Sequence, residues 1–172
     1  MNQYIASGLS RKDIRDYVRK IKQVTGTSSV LYMNVLFFLE NVLPIFIPDL
    51  QIDFVEKHEM FGKYAETFPS QSLIRIRQDV YIRADEGSER DRFTIAHEIG
   101  HLLLHDDDAI ALCRSDREVA IPKYADPEWQ ANAFAGEFLM NADLIKGMSA
   151  EEISSACGSS MQAAEIQLKY VC

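Results

Sequence analysis

Apolar residues recur at helical spacing near the start of the chain and at strand spacing in its middle. From Ser10 to Val24, the residues Ile14, Tyr17, Val18, Ile21 and Val24 fall on one stripe. Ser10 and Asp13 form a cap-like pair at its start, so the segment reads as an amphipathic helix. Ser29 can cap a second helix with Val35, Leu36, Leu39 and Leu43 facing inward, ending at Pro44 and Pro48. The period then changes. Leu50, Ile52 and Phe54 alternate with Gln51, Asp53 and Val55, and the runs 62–67, 72–77 and 80–83 are short and β-rich with turn residues between them. They predict a small, mostly antiparallel sheet of three or four strands. Ser88 with Asp91 caps a third helix reaching about His105, and Pro127 to Met140 reads as a fourth. A capping box of Ser149 and Glu152 opens a short helix that Gly158 ends, and 160–171 forms the last one.

Helices, then a sheet, then helices make an α+β protein, because helices and strands do not alternate. A single domain is expected over 1–172, with N-terminal helices in 1–48, a sheet in 50–83, catalytic helices in 88–140 and a C-terminal helical hairpin in 149–171. A chain of 172 residues with 47% apolar and 26% charged composition buries enough surface to fold without disulfides. The run 30–47, broken by Asn34, Glu40, Asn41 and Pro44, is too short and polar to span a bilayer. With no signal-like N-terminus and three widely spaced cysteines, Cys113, Cys157 and Cys172, a cytoplasmic protein with free thiols is expected.

The net charge of −8 argues against general DNA binding. Its distribution is uneven: residues 1–105 hold 13 basic and 14 acidic groups, and 106–172 hold 5 and 12. The first helix nevertheless carries Arg11, Lys12, Arg15, Arg19, Lys20 and Lys22, with Arg75, Arg77 and Arg83 further on. Either this is a solvated face, or it is a groove for single-stranded nucleic acid acting as an activator, or for an acidic stretch of a partner. The C-terminal hairpin has a helix-turn-helix rhythm, but its last helix has one basic residue and suits packing or partner contact.

Chemistry concentrates in the third helix, where His97-Glu98-Ile99-Gly100-His101 is an HExxH sequence. Histidines at i and i+4 lie one above the other and can reach one ion, for which Zn²⁺ is the natural choice. Glu98, about 100° around the helix, can serve a water beside the metal as general base without ligating the metal. A third ligand must come from elsewhere. Leu104 and Asp107 stand where a metzincin needs Gly and His, which removes that pattern. The remaining candidates are the run Asp106, Asp107 and Asp108, then Asp116, Glu118, Asp126, Glu128, Glu137 and Asp143. Spacing alone puts Glu128, in the first turn of the next helix, only modestly ahead of Asp126 and Glu137.

The segment from Arg92 to His105 (RFTIAHEIGHLLLH) closely resembles the active-site helix of the ImmA/IrrE family of metallopeptidases, and Glu128 to Met140 (EWQANAFAGEFLM) resembles its partner helix. The two motifs stand in the family's order, about 30 residues apart, and the likeness covers roughly 30–170. One departure is Asn141, where the family usually has Pro. The resemblance implies a compact zinc peptidase fold with gluzincin-like ligands, and it makes Glu128 the third ligand and Glu137 a non-ligand. It also implies a substrate: a partner repressor with a helix-turn-helix domain, cut to relieve transcription of a mobile element, a DNA-damage regulon or a phage-defence operon.

His97, His101 and Glu128 are thus expected to hold Zn²⁺, with Glu98 as the catalytic base. Tyr124 and His105 are candidate oxyanion or substrate contacts, each with a plainer alternative: a packed loop aromatic for Tyr124, and a helix-terminal or metal-supporting histidine for His105. Cys113, between the two ligand helices, could cover the open metal position as a cysteine switch, or be a small buried hydrophobe. A non-proteolytic anti-repressor with a structural metal and a nucleic-acid sensor are the competing functions. An intact Glu98 speaks against a purely structural metal.

Overall fold

The computed structural model describes residues 3–105, 110–113 and 122–171, with backbone alone for Gln3, Tyr4 and Ile110–Cys113. A short strand β1 (Gln3–Ala6) leads into helix α1 (Arg11–Val24). The expected capping box is present there: the Ser10 hydroxyl accepts from the Asp13 amide while the Asp13 carboxylate accepts from the Ser10 amide. The second helical run starts later than expected. Asn34, not Ser29, caps it by accepting from the Phe37 amide. It consists of α2 (Val35–Phe37), a π-helical turn over Phe38–Val42, and α3 (Leu43–Phe46). Pro44 therefore does not end the helix. The wider turn lets the Leu43 amide bond to the Phe38 carbonyl and carries the chain past the proline, which has no amide to donate.

The protein is α+β, and its main sheet is mixed. Strands β2 (Gln51–Val55), β3 (Ala65–Phe68) and β4 (Leu73–Arg77) lie in the order β2-β4-β3. β3 and β4 are antiparallel, as their short connection requires, but β2 runs parallel to β4, with Ile52 opposite Ile74 and Phe54 opposite Ile76. The fourth expected strand, 80–83, is part of helix α4 (Gln78–Asp85). Its buried residues Val80 and Ala84 are four apart, a helical spacing, not the alternation a strand needs. A second, two-stranded antiparallel sheet joins β1 to β5 (Ile110–Cys113).

Helix α5 (Glu89–Leu104) packs along α6 (Pro127–Leu139), and α1 lies against α6 from another side. Ten of the thirteen residues of α6 are buried, so it is the central helix of the core, ringed by Phe38, Leu39, Ile95, Ile99 and the C-terminal helices α7 (Ala150–Cys157) and α8 (Met161–Leu168). Gly158, at φ +58°, ends α7. Asn141 is buried and donates to the Ser28 carbonyl, tying the end of α6 to the loop after α1. No helix among the described residues is long and apolar enough to cross a membrane.

The basic face of α1 is not free. Arg11 and Arg15 donate to the buried carboxylate of Glu137, at 2.7 and 2.9 Å. Arg19 pairs with Asp143 and Asp16, and Lys12 lies 3.1 Å from Asp16. In the sheet region, Arg75 meets Asp53 and Glu66, Arg77 meets Asp79, and Arg83 meets Asp79 and Asp91. Most of the cations that the alternative reading, a groove for nucleic acid or an acidic partner, would use are paired with carboxylates of the chain; of the six positions, Lys12 and Lys20 keep exposed ammonium groups.

Lys22 fits neither a solvated face nor a groove. It is 2% exposed, its ammonium has no hydrogen-bond partner among the described residues, and it stands 5.3 Å from the Phe138 ring centroid. Burial pushes its pKa down to about 8, against the smaller opposing pull of Cys157 and Glu137. Below about pH 8 the folded chain carries a poorly solvated charge. Between pH 8 and the ordinary lysine value near 10.5 the unfolded chain binds a proton that the folded one has released, so stability rises with pH there. Lys22→Met is therefore expected to stabilise the protein at pH 7 by about 3 kcal/mol. In urea unfolding its advantage over wild type should shrink on going from pH 8 to pH 10.5.

Candidate metal centre

Two clamps fix α5. At its start Ser88 accepts from the Asp91 amide, and Asp91 also pairs with Arg83 at 2.7 Å. One turn in, the fully buried Arg92 donates to the carbonyls of Met33, Cys157 and Gly158, tying α5 to the loop before α2 and to the α7–α8 turn. Midway, a Cβ added at Gly100 would lie 3.1 Å from Phe134, so the glycine of the HExxH sequence is what lets α6 come this close. The start of α6 is then aimed at the middle of α5. Asp126 caps it by accepting from the Glu128 amide, with Pro127 in the first turn. Glu128 thereby stands over His97 and His101.

The three side chains converge. His97 Nε2 and His101 Nε2 are 3.0 Å apart, and the Glu128 carboxylate lies 3.3 Å from each. Tetrahedral ligands about 2.0–2.1 Å from a zinc-like ion would be roughly 3.3 Å from one another, so the trio fits one metal without rearrangement. Among the described residues it is the group of His, Cys, Asp and Glu side chains close enough to share an ion. Each imidazole is held from behind: His97 Nδ1 lies 3.1 Å from Asn132 Oδ1, and His101 Nδ1 lies 3.0 Å from His105 Nδ1. Such partners turn both Nε2 atoms toward the ion. The two imidazoles hold the Glu128 carboxyl well below the usual carboxylate range. Burial pushes His97 down, but Glu128, Glu98 and Asn132 outweigh it and the net shift is upward. Burial lowers His105.

Glu98 is 8% exposed, and the Thr67 hydroxyl of β3 donates to its Oε2 at 2.6 Å and lies 3.1 Å from its carbonyl oxygen. One carboxylate oxygen is thus pinned and the other, Oε1, is left for a proton. The remaining candidates separate clearly. Asp126 is a helix cap, Glu137 is the partner of Arg11 and Arg15, and Asp143 is the partner of Arg19. Tyr124 offers its carbonyl to the Leu9 and Gln130 amides, and its ring lies where a side chain at Gly8 would go. Its side chain is 56% exposed and its hydroxyl makes no hydrogen bond among the described residues, so its position does not separate the oxyanion or substrate role from the packed-aromatic one. His105 is buried behind His101 and does not face solvent as a substrate contact would. Cys113 pairs with Gln3 through the backbone. Its side chain, along with Asp106, Asp107, Asp108, Asp116, Glu118 and Cys172, lies outside the described residues. Cys157 is a buried free thiol.

Three residues of the site were not expected from sequence. Asn132 carried a local signal, because it follows Glu128 by four and so shares its helical face. Thr67 and Gln130 carried none, since each acts across the fold.

A His-His-Glu centre with a second glutamate beside it, on two packed helices of an α+β domain, defines a metallopeptidase-type site. Residues 52–169 match the family model of the M78 peptidases, described as the IrrE N-terminal-like domain, and the chain belongs to that family. A search among curated proteins finds no match.

Proposed function

We propose that this protein is a zinc-dependent, site-specific endopeptidase whose substrate is a helix-turn-helix repressor. The convergence of His97, His101 and Glu128 beside Glu98 carries the reading. The three would hold Zn²⁺, which supplies a more acidic water and a polarised scissile carbonyl when bound. Glu98 Oε1 takes the proton of the attacking water, and the same carboxylic acid returns it to the leaving amine. Thr67 keeps Oε2 occupied, so the proton is handled at one oxygen. Asn132 orients His97.

The surroundings suit a polypeptide. β3 is an edge strand, and Thr67 places it beside the base; an extended substrate can add to that edge. A groove of about 660 Å³ between α5, α6 and α8, lined by Phe93, Trp129, Asn132, Ala133 and Ile166 among others, opens next to His97's partner and offers room for apolar side chains. A cytoplasmic setting and a transcriptional substrate are part of the proposal.

Incubation of the zinc-loaded protein with the helix-turn-helix repressors of its own genome tests the proposal: cleavage of one of them at one bond is expected from wild type, and a full set left intact would remove the reading. Thr67→Val is expected to lower kcat about tenfold through a loosened Glu98, with KM and zinc content unchanged and recovery in Thr67→Ser. Steady-state assays on a peptide spanning the cut site would measure this.

A further inference from the structure

A second concentration of charge lies a short way along the chain's free sheet edge from Glu98. A recess of about 440 Å³, where β4 ends and α5 begins, gathers Lys57, Arg77, Arg83 and Arg90 around Tyr64. The Arg90 guanidinium lies 4.4 Å from the Tyr64 ring centroid and that of Arg77 lies 5.0 Å from it. Two carboxylates also line the recess, and both are engaged. Asp79 is held by Arg77 at 2.6 Å and by Arg83 at 2.7 Å, and Asp91 is held by Arg83 at 2.7 Å. Lys57 and Arg90 are exposed and pair with no carboxylate among the described residues. The recess is therefore net positive in a chain whose net charge is −8.

Its place relative to the metal centre follows from α5 and β3, which run side by side in one direction: Thr67 meets Glu98, and the earlier Tyr64 meets the earlier Arg90. Arg90 shares the helical face of Thr94, His97 and His101 and stands two turns before His97, ~10 Å at 1.5 Å per residue. Tyr64 continues the β3–β4 ladder, its carbonyl accepting from the Arg77 amide, and stands three residues ahead of Thr67, ~10 Å at 3.3 Å per residue. Helix and strand thus set the recess at the same distance and on the same side. An extended chain added to the β3 edge would pass over it. We infer that this recess is a specificity site for an Asp or Glu side chain of the substrate, about three residues from the scissile bond. The inference rests on the peptidase reading above and adds the chemistry of one substrate position. Charge complementarity selects the occupant: a carboxylate meets Arg90 and Lys57, whereas a lysine or arginine meets like charge. Arg90 also edges the apolar groove along α6, so the acidic position neighbours the apolar ones.

Steady-state assays of the zinc-loaded protein on a peptide spanning the repressor's cut site test this. Asp or Glu is expected about three residues from the cut bond, on one side of it. Exchanging that residue for Lys should lower kcat/KM roughly 10–100-fold, mainly through KM, and Arg90→Glu should recover the Lys peptide while losing the acidic one. Arg90 and Lys57 are both exposed, so Lys57→Glu provides a second variant that should act in the same direction. A cut site with no acidic residue there, or a Lys peptide cut as well as its parent, would overturn the inference and leave the peptidase reading in place. If no repressor is cut, the peptidase reading falls and binding decides. N-acetyl-aspartate amide, and not its asparagine counterpart, should then move the Nε–Hε NMR signals of Arg90 and Arg77. Equal movement by both compounds, or none, would overturn the carboxylate site. So would movement by a single-stranded oligothymidylate alone, which would give the recess to nucleic acid.

Discussion

Replacing Glu98 with Gln is expected to lower kcat by roughly 10²–10⁴ while leaving zinc content and thermal stability unchanged. Gln keeps the size of the side chain and can still accept from the Thr67 hydroxyl at 2.6 Å, so the α5–β3 contact survives. What it lacks is a carboxylate oxygen able to take a proton from water and return it to the amine. Glu98 does not bond to His97, His101 or Glu128, so the ligand set is untouched. The comparison with Glu128→Ala is informative because that variant should lose activity by a different route, through loss of the metal. Single-turnover assays with parallel zinc analysis separate the two: activity lost with zinc retained in one, both lost in the other.

The second large effect lies far from the chemistry. Glu137→Ala is expected to destabilise the protein by about 3–5 kcal/mol, because it leaves two largely buried guanidinium groups without their carboxylate. The Glu137 side chain is 1% exposed and those of Arg11 and Arg15 are 15% and 18% exposed. For a chain of this size the loss corresponds to a fall of roughly 10–15 °C in melting temperature. Asp143→Ala offers the contrast. Its pair with Arg19 is about half exposed on both sides, so the change should cost less than about 1 kcal/mol. Differential scanning calorimetry of the two variants would show whether α1 is bound to the core through Glu137. A small effect in Glu137→Ala would mean that the arginines are free to serve another ligand.

Elements with local signatures were legible in the sequence: the capped starts of α1, α5 and α7, and the Gly158 stop, depend on residues within four positions of one another. The pair His97 and His101 was legible for the same reason. Pairing order in the sheet was not. Nothing local tells β2 to run parallel to β4 across an intervening strand, and the Val80–Arg83 run looks β-rich until its buried positions are known to be four apart. The basic face of α1 misled because helical periodicity reports which residues share a side, not which carboxylates meet them. Glu137, 122 residues beyond Arg15, turns that face inward, and Lys22 ends up in the core. The third ligand sat between these cases. Spacing left several carboxylates open, the family likeness pointed to Glu128, and among the described residues the geometry shows how three others are engaged: Asp126 caps α6, Glu137 binds arginines and Asp143 binds Arg19.

The most direct test of the metal centre is crystallography of the zinc-loaded protein with anomalous data on both sides of the zinc absorption edge. One anomalous peak per chain is expected, about 2.0–2.2 Å from His97 Nε2, His101 Nε2 and a Glu128 oxygen, with Glu98 outside bonding distance. A peak coordinated without Glu128, or ligated by Glu98, or the absence of any peak on this trio, would contradict the assignment of the site.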